Sequence, residues 1–332
     1  MLNWVNYPFM VDWKSSGQRF GFRGGGLATV YIPTADGMTI GAWHILPRRA
    51  GPIGSAYSHR EALDFSKLAK AERVYLYFHG NAGNRAMGTR PAFYRMLTRY
   101  PGSHVLAIDY RGFGDSSSMV PTEISMAEDA MAAYEWLIDH KVPASRIVIT
   151  GHSLGSGVAT QLAYSLSKYS GGRDAFGGLL LLSGYASIGD AALGYTPIPL
   201  LRPFLGNPDA EKWIKNQTLV KFDNVNKVGQ ITRPILILHG RNDWDVAVWQ
   251  SQALFLEAAT ARSKTKWKDE GYWNLRRGAF ALDKSIDVQH LDEAEIWNIG
   301  NLWLVQVEHC SHNNLAEYVI VDDAIAQWSK QL

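Results

Sequence analysis

A serine lies between two glycines in GHSLG, residues 151–155, where a short apolar run meets an amphipathic segment. Gly-x-Ser-x-Gly between a strand and a helix is the pattern of a nucleophile elbow, a tight turn that exposes the serine Oγ. The glycines leave room for neighbouring backbone, and the helix start favours a developing oxyanion. A bare pentapeptide of this kind also arises by chance, but the flanking strand and helix signals favour Ser153 as a nucleophile.

A glycine-rich turn, HGNAGN at residues 79–84, follows the apolar run VYLYF. A nucleophile of this kind needs two backbone N–H donors for its oxyanion, one just after the serine and one from such a turn. We predict Leu154 and Asn81 as these donors, with Ala82 as the alternative to Asn81. A phosphate-binding loop is the competing interpretation, but the turn has neither the Walker lysine nor GxGxxG spacing.

Two aspartates follow the apolar run PILILHG, in RNDWDV at residues 241–246. A carboxylate after a strand that follows the serine suits the chain order Ser, Asp, His of one class of catalytic triad. Asp243 and Asp245 both qualify, since either carboxylate can orient an imidazole. We favour Asp243 because it is nearer the strand end, whereas Asp245 begins the next helix, where an acidic residue is favoured anyway.

The candidate base lies in HCSHNN, residues 309–314, which holds two of the ten histidines and the only cysteine. His312 follows the last apolar run and is the predicted base, with His309 as the alternative. One cysteine and two histidines leave a four-coordinate zinc site a ligand short. Cys310 as nucleophile would leave the serine elbow unexplained, so a buried, inert thiol is expected.

Strand-like and helix-like segments alternate along most of the chain. Asp36-Gly37 predicts a hairpin within residues 27–46. Mostly apolar runs suited to strands buried on both faces are residues 74–78, 104–110, 146–150, 178–183, 234–239 and 302–308. Amphipathic segments of helical length are residues 84–99, 123–141, 154–168, 246–262 and 313–331. In the second of these, the residues placed mainly along one face are Ile124, Met131, Tyr134, Trp136 and Leu137. The alternation predicts an α/β fold with a mostly parallel sheet, helices on both faces, and ligands beyond the carboxyl ends of the strands.

Two long segments interrupt this alternation. We assign residues 1–184 and 231–332 to the core, residues 185–230 to an inserted lid, and residues 263–300 to a surface insertion. Beside the triad and its oxyanion donors, the residues expected to bind substrate are His79, Gly80, His152, Tyr195, Leu201 and Phe204.

The composition narrows the classes of function. A chain of 332 residues that is 46% hydrophobic buries a large core, and its net charge of +2 argues against nucleic-acid binding. A single cysteine permits no internal disulfide. No apolar run has the length of a signal peptide or a membrane span, so we expect a cytoplasmic or peripherally membrane-associated chain. Twelve tryptophans leave peripheral membrane contact open, and the composition does not determine the oligomeric state.

Four motifs together resemble the α/β-hydrolase superfamily, and more narrowly its ABHD-type monoacylglycerol/lysophosphatidylserine lipase branch. They are AIDYRGFGDS (107–116), GHSLGSGVAT (151–160), FDNVNKVGQITRPILILHG (222–240) and SHNNL (311–315). The resemblance covers roughly residues 25–330. It implies a Ser153–Asp243–His312 triad with oxyanion amides at Asn81 and Leu154. It also implies hydrolysis of acylglycerols or lysophospholipids without a metal or organic cofactor.

The expected reaction is ester cleavage through an acyl-enzyme, with His312 as base and Ser153 as nucleophile. Several alternatives stay open at this point. The same three residues also suit a short-chain carboxylesterase, a thioesterase or a peptidase, and the fold itself also occurs in non-catalytic binding proteins.

Overall fold

The computed structural model describes residues 17–22, 26–48, 57, 59–169, 175–194, 207–217, 220–263 and 282–332. The chain divides into two compact units, here called unit 1 (Met1–Leu162 with Asp174–Gly178) and unit 2 (Ala163–Arg173 with Leu179–Leu332). The strands are β1 (Leu27–Pro33), β2 (Thr39–Ile45), β3 (Arg73–Phe78), β4 (Ser103–Ile108), β5 (Ile147–His152), β6 (Gly178–Leu182), β7 (Ile235–Gly240), β8 (Asp287–His290), β9 (Ala294–Ile299) and β10 (Leu302–Val307). The α-helices of the described residues are α1 (His59–Ala62), α2 (Arg90–Leu97), α3 (Glu123–Asp139), α4 (Leu154–Tyr169), α5 (Ile188–Gly194), α6 (Pro208–Gln217), α7 (Val225–Val228), α8 (Trp249–Ser263) and α9 (Val319–Trp328).

In unit 1 the strands lie in the order β1-β2-β4-β3-β5. β1 and β2 form the predicted antiparallel hairpin, which pairs Pro33 with Thr39 across a turn where Gly37 has a φ of 82°. β3 runs parallel to both β4 and β5. Every residue of β4 and β5 is buried, as expected for strands covered on both faces. The carboxyl ends of β3 and β5 therefore bring the HGNAGN turn and the serine elbow to the same edge.

Two helix predictions in unit 1 need correction. The segment expected to be helical from residue 84 becomes α2 only at Arg90, because the preceding residues form turns and Gly88 adopts a φ of 60°. In α3, Ile124 is 74% exposed, whereas Ser125, Ala130 and Ala133 are buried. Tyr134 and Leu137 of the predicted face are buried, but Ile124 is not, because the buried face of α3 also contains small residues that a pattern of large apolar residues does not mark.

In unit 2 the strands lie in the order β6-β7-β10-β9-β8. β7 runs parallel to β6 and β10, and β9 and β8 continue as antiparallel neighbours. The β8–β9 pair falls within residues 263–300, where only a surface insertion was expected. Residues 264–281 of that segment lie outside the described part of the chain.

The segment expected to form a lid contains α5, α6 and α7, and α5 and α6 contact one another. Three of the expected substrate-binding residues, Tyr195, Leu201 and Phe204, lie outside the described residues. Among the helices that the structure describes, none combines the length and the apolar character needed to cross a membrane.

Candidate active site

Ser153 lies in a strained turn between β5 and α4, with a φ of 53°. Few non-glycine residues adopt this left-handed conformation, and they cluster at functional sites. The flanking glycines are required sterically. A Cβ on Gly151 would lie 2.1 Å from the Gly155 carbonyl oxygen, and a Cβ on Gly155 would lie 2.1 Å from that of Phe78. The predicted elbow is therefore present in unit 1, with the Ser153 side chain partly exposed.

The HGNAGN turn packs directly against this elbow. A Cβ on Gly80 would lie 3.2 Å from Ser153 Cβ and 3.3 Å from His152 Nδ1, so the turn approaches the serine because residue 80 has no side chain. Asn81 follows immediately. Its Oδ1 accepts the Ala82 N–H at 2.9 Å, so this amide, the alternative oxyanion donor, is already bonded. Asn81 stays the predicted donor from this turn, with Ala82 as the alternative.

A buried cluster of charged and polar side chains packs against the HGNAGN turn. His79 Nδ1–H donates to the Gly80 carbonyl at 2.8 Å, while its Nε2 lies 3.1 Å from Asp109 Oδ1. The Arg85 guanidinium donates to Asp109 Oδ2 at 2.5 Å. Burial and the nearby Arg90 charge lower the pKa of His79, against the opposing pull of Asp109. His79 and His152 are both buried, and the contact of each with substrate stays a prediction.

The acid and the base meet in unit 2. Because a carboxylate can only accept, His312 Nδ1–H donates to Asp243 Oδ2, at 2.7 Å. Asp243 Oδ1 accepts the backbone N–H groups of Asp245 at 3.0 Å and Val246 at 2.7 Å. Asp243 therefore occupies the orienting position, and Asp245 supplies only a backbone donor to it.

A second histidine also faces this carboxylate. His239 Nε2 lies 2.8 Å from the Val246 carbonyl oxygen and 3.2 Å from Asp243 Oδ2. Since both of these oxygens only accept, Nε2 carries a hydrogen. Burial raises the pKa of the Asp243 carboxyl, but the hydrogen bonds from His239 and His312 outweigh burial and hold this pKa well below its usual range. The Asp243 carboxyl is therefore ionised in the folded protein near neutral pH.

The loop that carries the base depends on a close backbone approach. A Cβ on Gly240 would lie 2.3 Å from the Cys310 carbonyl oxygen, so only glycine allows this loop to reach the end of β7. Asn314 Oδ1 accepts the Ser311 N–H at 2.8 Å and fixes the turn. His312 is buried beside the acid, whereas His309 is exposed. Burial raises the pKa of the Cys310 thiol to about 12, which is inconsistent with a thiolate nucleophile at neutral pH.

The predicted residues thus fall into two groups. Ser153, Leu154 and Asn81 lie in unit 1, and Asp243 and His312 lie in unit 2. Within the described part of the chain, no three His, Cys, Asp or Glu side chains are arranged to hold a metal ion.

The sequence motifs assign no role to His239, which faces the acid, or to Arg90, which contacts the HGNAGN turn. The signal that could have indicated both residues is that each is a polar residue close to a turn at the end of a strand.

Comparison with known proteins identifies the family. The model of the alpha/beta hydrolase family matches residues 75–324, most of the chain. The chain belongs to the alpha/beta hydrolase family. The α/β-hydrolase fold, with a mostly parallel central sheet and helices around it, is confirmed.

Among curated proteins, the lysophosphatidylserine lipase ABHD12 of Danio rerio is 32% identical over 266 residues, which cover 79% of this chain and 66% of that protein. The protein of the same name from Macaca fascicularis is 33% identical over 271 residues, which cover 80% of this chain and 64% of that protein. This alpha/beta hydrolase therefore spans slightly less than two thirds of either relative. Among solved structures, the esterase Pf2001 of Pyrococcus furiosus shares the fold, with a TM-score of 0.61 and 16% identity across 96% of this chain and 95% of that one.

Proposed function

We propose that this alpha/beta hydrolase is a serine hydrolase that cleaves carboxylic esters through an acyl-enzyme, with monoacylglycerols or lysophospholipid-like molecules as substrates. The observation that carries the proposal is the 2.7 Å hydrogen bond from His312 Nδ1 to the buried Asp243 carboxylate, in a chain of this family that also has a strained serine elbow. A binding protein on this fold needs neither feature.

The proposed reaction follows from the state of the acid–base pair. Because Asp243 holds the hydrogen on His312 Nδ1, the Nε2 lone pair is available for a proton. His312 takes the proton of Ser153 Oγ as the serine attacks the ester carbonyl, and then delivers it to the leaving alcohol. Water, deprotonated by the same histidine, releases the acid from the acyl-enzyme.

The oxyanion formed in each step needs preorganised donors. We assign the backbone N–H groups of Leu154 and Asn81 to this role. Leu154 begins α4, where the helix dipole adds partial positive charge, and Asn81 follows the glycine that packs against Ser153. Such donors each contribute about 10²- to 10³-fold to the rate of acyl transfer.

The substrate class rests on the relatives and on the segment 185–230. The relatives of Danio rerio and Macaca fascicularis are named lysophosphatidylserine lipases. We propose that segment 185–230 is a lid. Its helix α6 presents Trp213 with 65% of its surface exposed, which suits contact with an acyl chain or a lipid surface.

A chain-length series of p-nitrophenyl esters, assayed beside monoacylglycerol and lysophospholipid, tests this proposal. We expect turnover of both lipids and a preference for the longer esters, with all activity lost in Ser153→Ala. A preference for two- to four-carbon esters without lipid turnover would leave a general carboxylesterase. Turnover of thioesters or peptides, without turnover of the esters and lipids, would indicate a thioesterase or a peptidase. No turnover of any of these compounds would favour a binding protein.

A further inference from the structure

We propose that Arg90 is a positioning residue for the oxyanion hole: its guanidinium gathers the carbonyl oxygens of the HGNAGN turn and thereby directs the Asn81 N–H toward the reacting carbonyl. This inference rests on the proposed function, since it assigns a role within that reaction. Arg90 is the first residue of α2, and its guanidinium donates to carbonyl oxygens of the HGNAGN turn in unit 1.

The carbonyl oxygens of the turn converge on one side chain. Arg90 Nη2 lies 3.1 Å from the Gly80 and Asn81 carbonyl oxygens and 2.5 Å from that of Ala82. Arg90 Nη1 donates to the Asn84 carbonyl at 2.5 Å. A single guanidinium thus contacts four carbonyl groups within five consecutive residues.

Peptide geometry converts this contact into an orientation for the proposed donor. In a trans peptide unit the carbonyl of one residue and the N–H of the next point in opposite directions. The carbonyl of Gly80 is held by both Arg90 Nη2 and His79 Nδ1, at 3.1 and 2.8 Å. The N–H of Asn81 therefore points away from both donors.

Electrostatics explains why a cation is needed at this place. Carbonyl oxygens that converge on one point repel each other, because each carries the negative end of a peptide dipole. A fixed guanidinium turns this repulsion into charge-assisted hydrogen bonds. Ala82 has a φ of 59°, a conformation that costs a non-glycine residue free energy and that the turn would leave more readily without such support. Removal of the guanidinium leaves His79 Nδ1–H on the Gly80 carbonyl but releases the Asn81 and Ala82 carbonyls, so the Gly80–Asn81 peptide should be held less firmly.

The test compares Arg90→Met with a matched control on the same helix. Methionine keeps the length of the apolar stem but has no donor. Arg95 is the control, because its Nη1 donates at 2.5 Å to the Phe20 carbonyl, outside the HGNAGN turn. For Arg90→Met we expect kcat to fall about 30- to 100-fold with KM changed by less than about threefold, below the full loss of one oxyanion donor. Arg95→Met should stay within about twofold of the unsubstituted protein in both constants.

A trifluoromethyl ketone adds a measurement that a general loss of stability does not change. Ser153 Oγ would add to the ketone carbon, its proton would pass to His312, and the ketone oxygen would become an oxyanion. Affinity for this inhibitor should fall in Arg90→Met by the same factor as kcat/KM. The pKa seen in the pH–rate profile should not move, because the base is untouched.

Arg90→Lys keeps a cation near the converging carbonyls without the planar fork, and it should recover part of the lost kcat. If the methionine variant does not fold, the lysine variant decides: a several-fold fall in kcat at unchanged KM supports the proposal, and an unchanged kcat overturns it. A rise in KM alone would place Arg90 on the substrate and also overturn it. An inactive unsubstituted protein would instead refute the proposed function, so the two failures are distinct.

Discussion

Replacement of Asp243 by asparagine tests the acid–base pair. The two carboxylate oxygens have different partners, because Oδ1 accepts two backbone N–H groups and Oδ2 faces the two histidines. An asparagine keeps both backbone bonds only with its carbonyl oxygen at the Oδ1 position. Its NH₂ group then replaces Oδ2 and points a hydrogen at His312 Nδ1.

That orientation reverses the tautomer of the base. His312 Nδ1 becomes an acceptor, so the ring hydrogen moves to Nε2 and the lone pair needed to deprotonate Ser153 is lost. For a catalytic serine with its base in the wrong tautomer, kcat falls by about 10⁴-fold, which corresponds to about 5.5 kcal/mol of transition-state stabilisation. His239 Nε2–H also faces the new NH₂ group, so we expect a lower free energy of unfolding as well.

The assay is hydrolysis of a p-nitrophenyl ester from pH 6 to 9, with urea denaturation of each variant. Asp245→Asn is the matched control, because Asp245 contributes its backbone N–H to the site and should keep turnover within about twofold. A loss of less than tenfold in Asp243→Asn, or a larger loss in Asp245→Asn, would refute the assignment of the acid.

Three further predictions concern the base, the elbow and stability in acid. His312→Ala should abolish turnover while His309→Ala keeps most of it, because His312 is hydrogen-bonded to Asp243 and His309 is exposed; steady-state kinetics showing the reverse would exchange their roles. Gly155→Ala should lower the free energy of unfolding by about 3 kcal/mol in urea denaturation, since its Cβ would lie 2.1 Å from a strand carbonyl oxygen, and a loss below about 1 kcal/mol would contradict this account of the elbow. Burial lowers the pKa of His44 to about 4 and that of His104 to about 3, so the folded state binds fewer protons than the unfolded state below pH 6.5. The free energy of unfolding should therefore be unaffected by these two histidines above pH 6.5 and should fall as the pH drops toward 4, by on the order of 3 kcal/mol for His44 alone. Urea denaturation of His104→Gln should show a weaker dependence on pH than that of the unsubstituted protein, and an equal dependence would contradict this account.

The order of strands and helices could be predicted because each carries a local signal. Apolar runs such as residues 74–78 and 234–239 became β3 and β7 with small shifts at their ends. The face of α3 was predicted only in part: Tyr134 and Leu137 are buried as expected, whereas Ile124 is exposed because small residues share the buried side. The β8–β9 pair was missed, since β8 is largely exposed and has no apolar period.

The residues of the candidate site could be predicted from motifs, but their supporting contacts could not. The order of two aspartates after a strand favoured Asp243 over Asp245, and the position of His312 Nδ1 supports the same choice. The contact of Arg90 with the turn depends on where α2 begins, and the sequence pattern set that boundary several residues too early. Contacts between residues of different elements follow from packing rather than from local spacing.

The most direct test of the central claim is the intact mass of the protein after treatment with a fluorophosphonate. A serine activated by an acid–base pair loses its hydroxyl proton and displaces fluoride, forming one covalent adduct. We predict a single adduct at Ser153, absent in Ser153→Ala and formed far more slowly in His312→Ala. An unlabelled protein, or an adduct that persists in Ser153→Ala, would contradict the account.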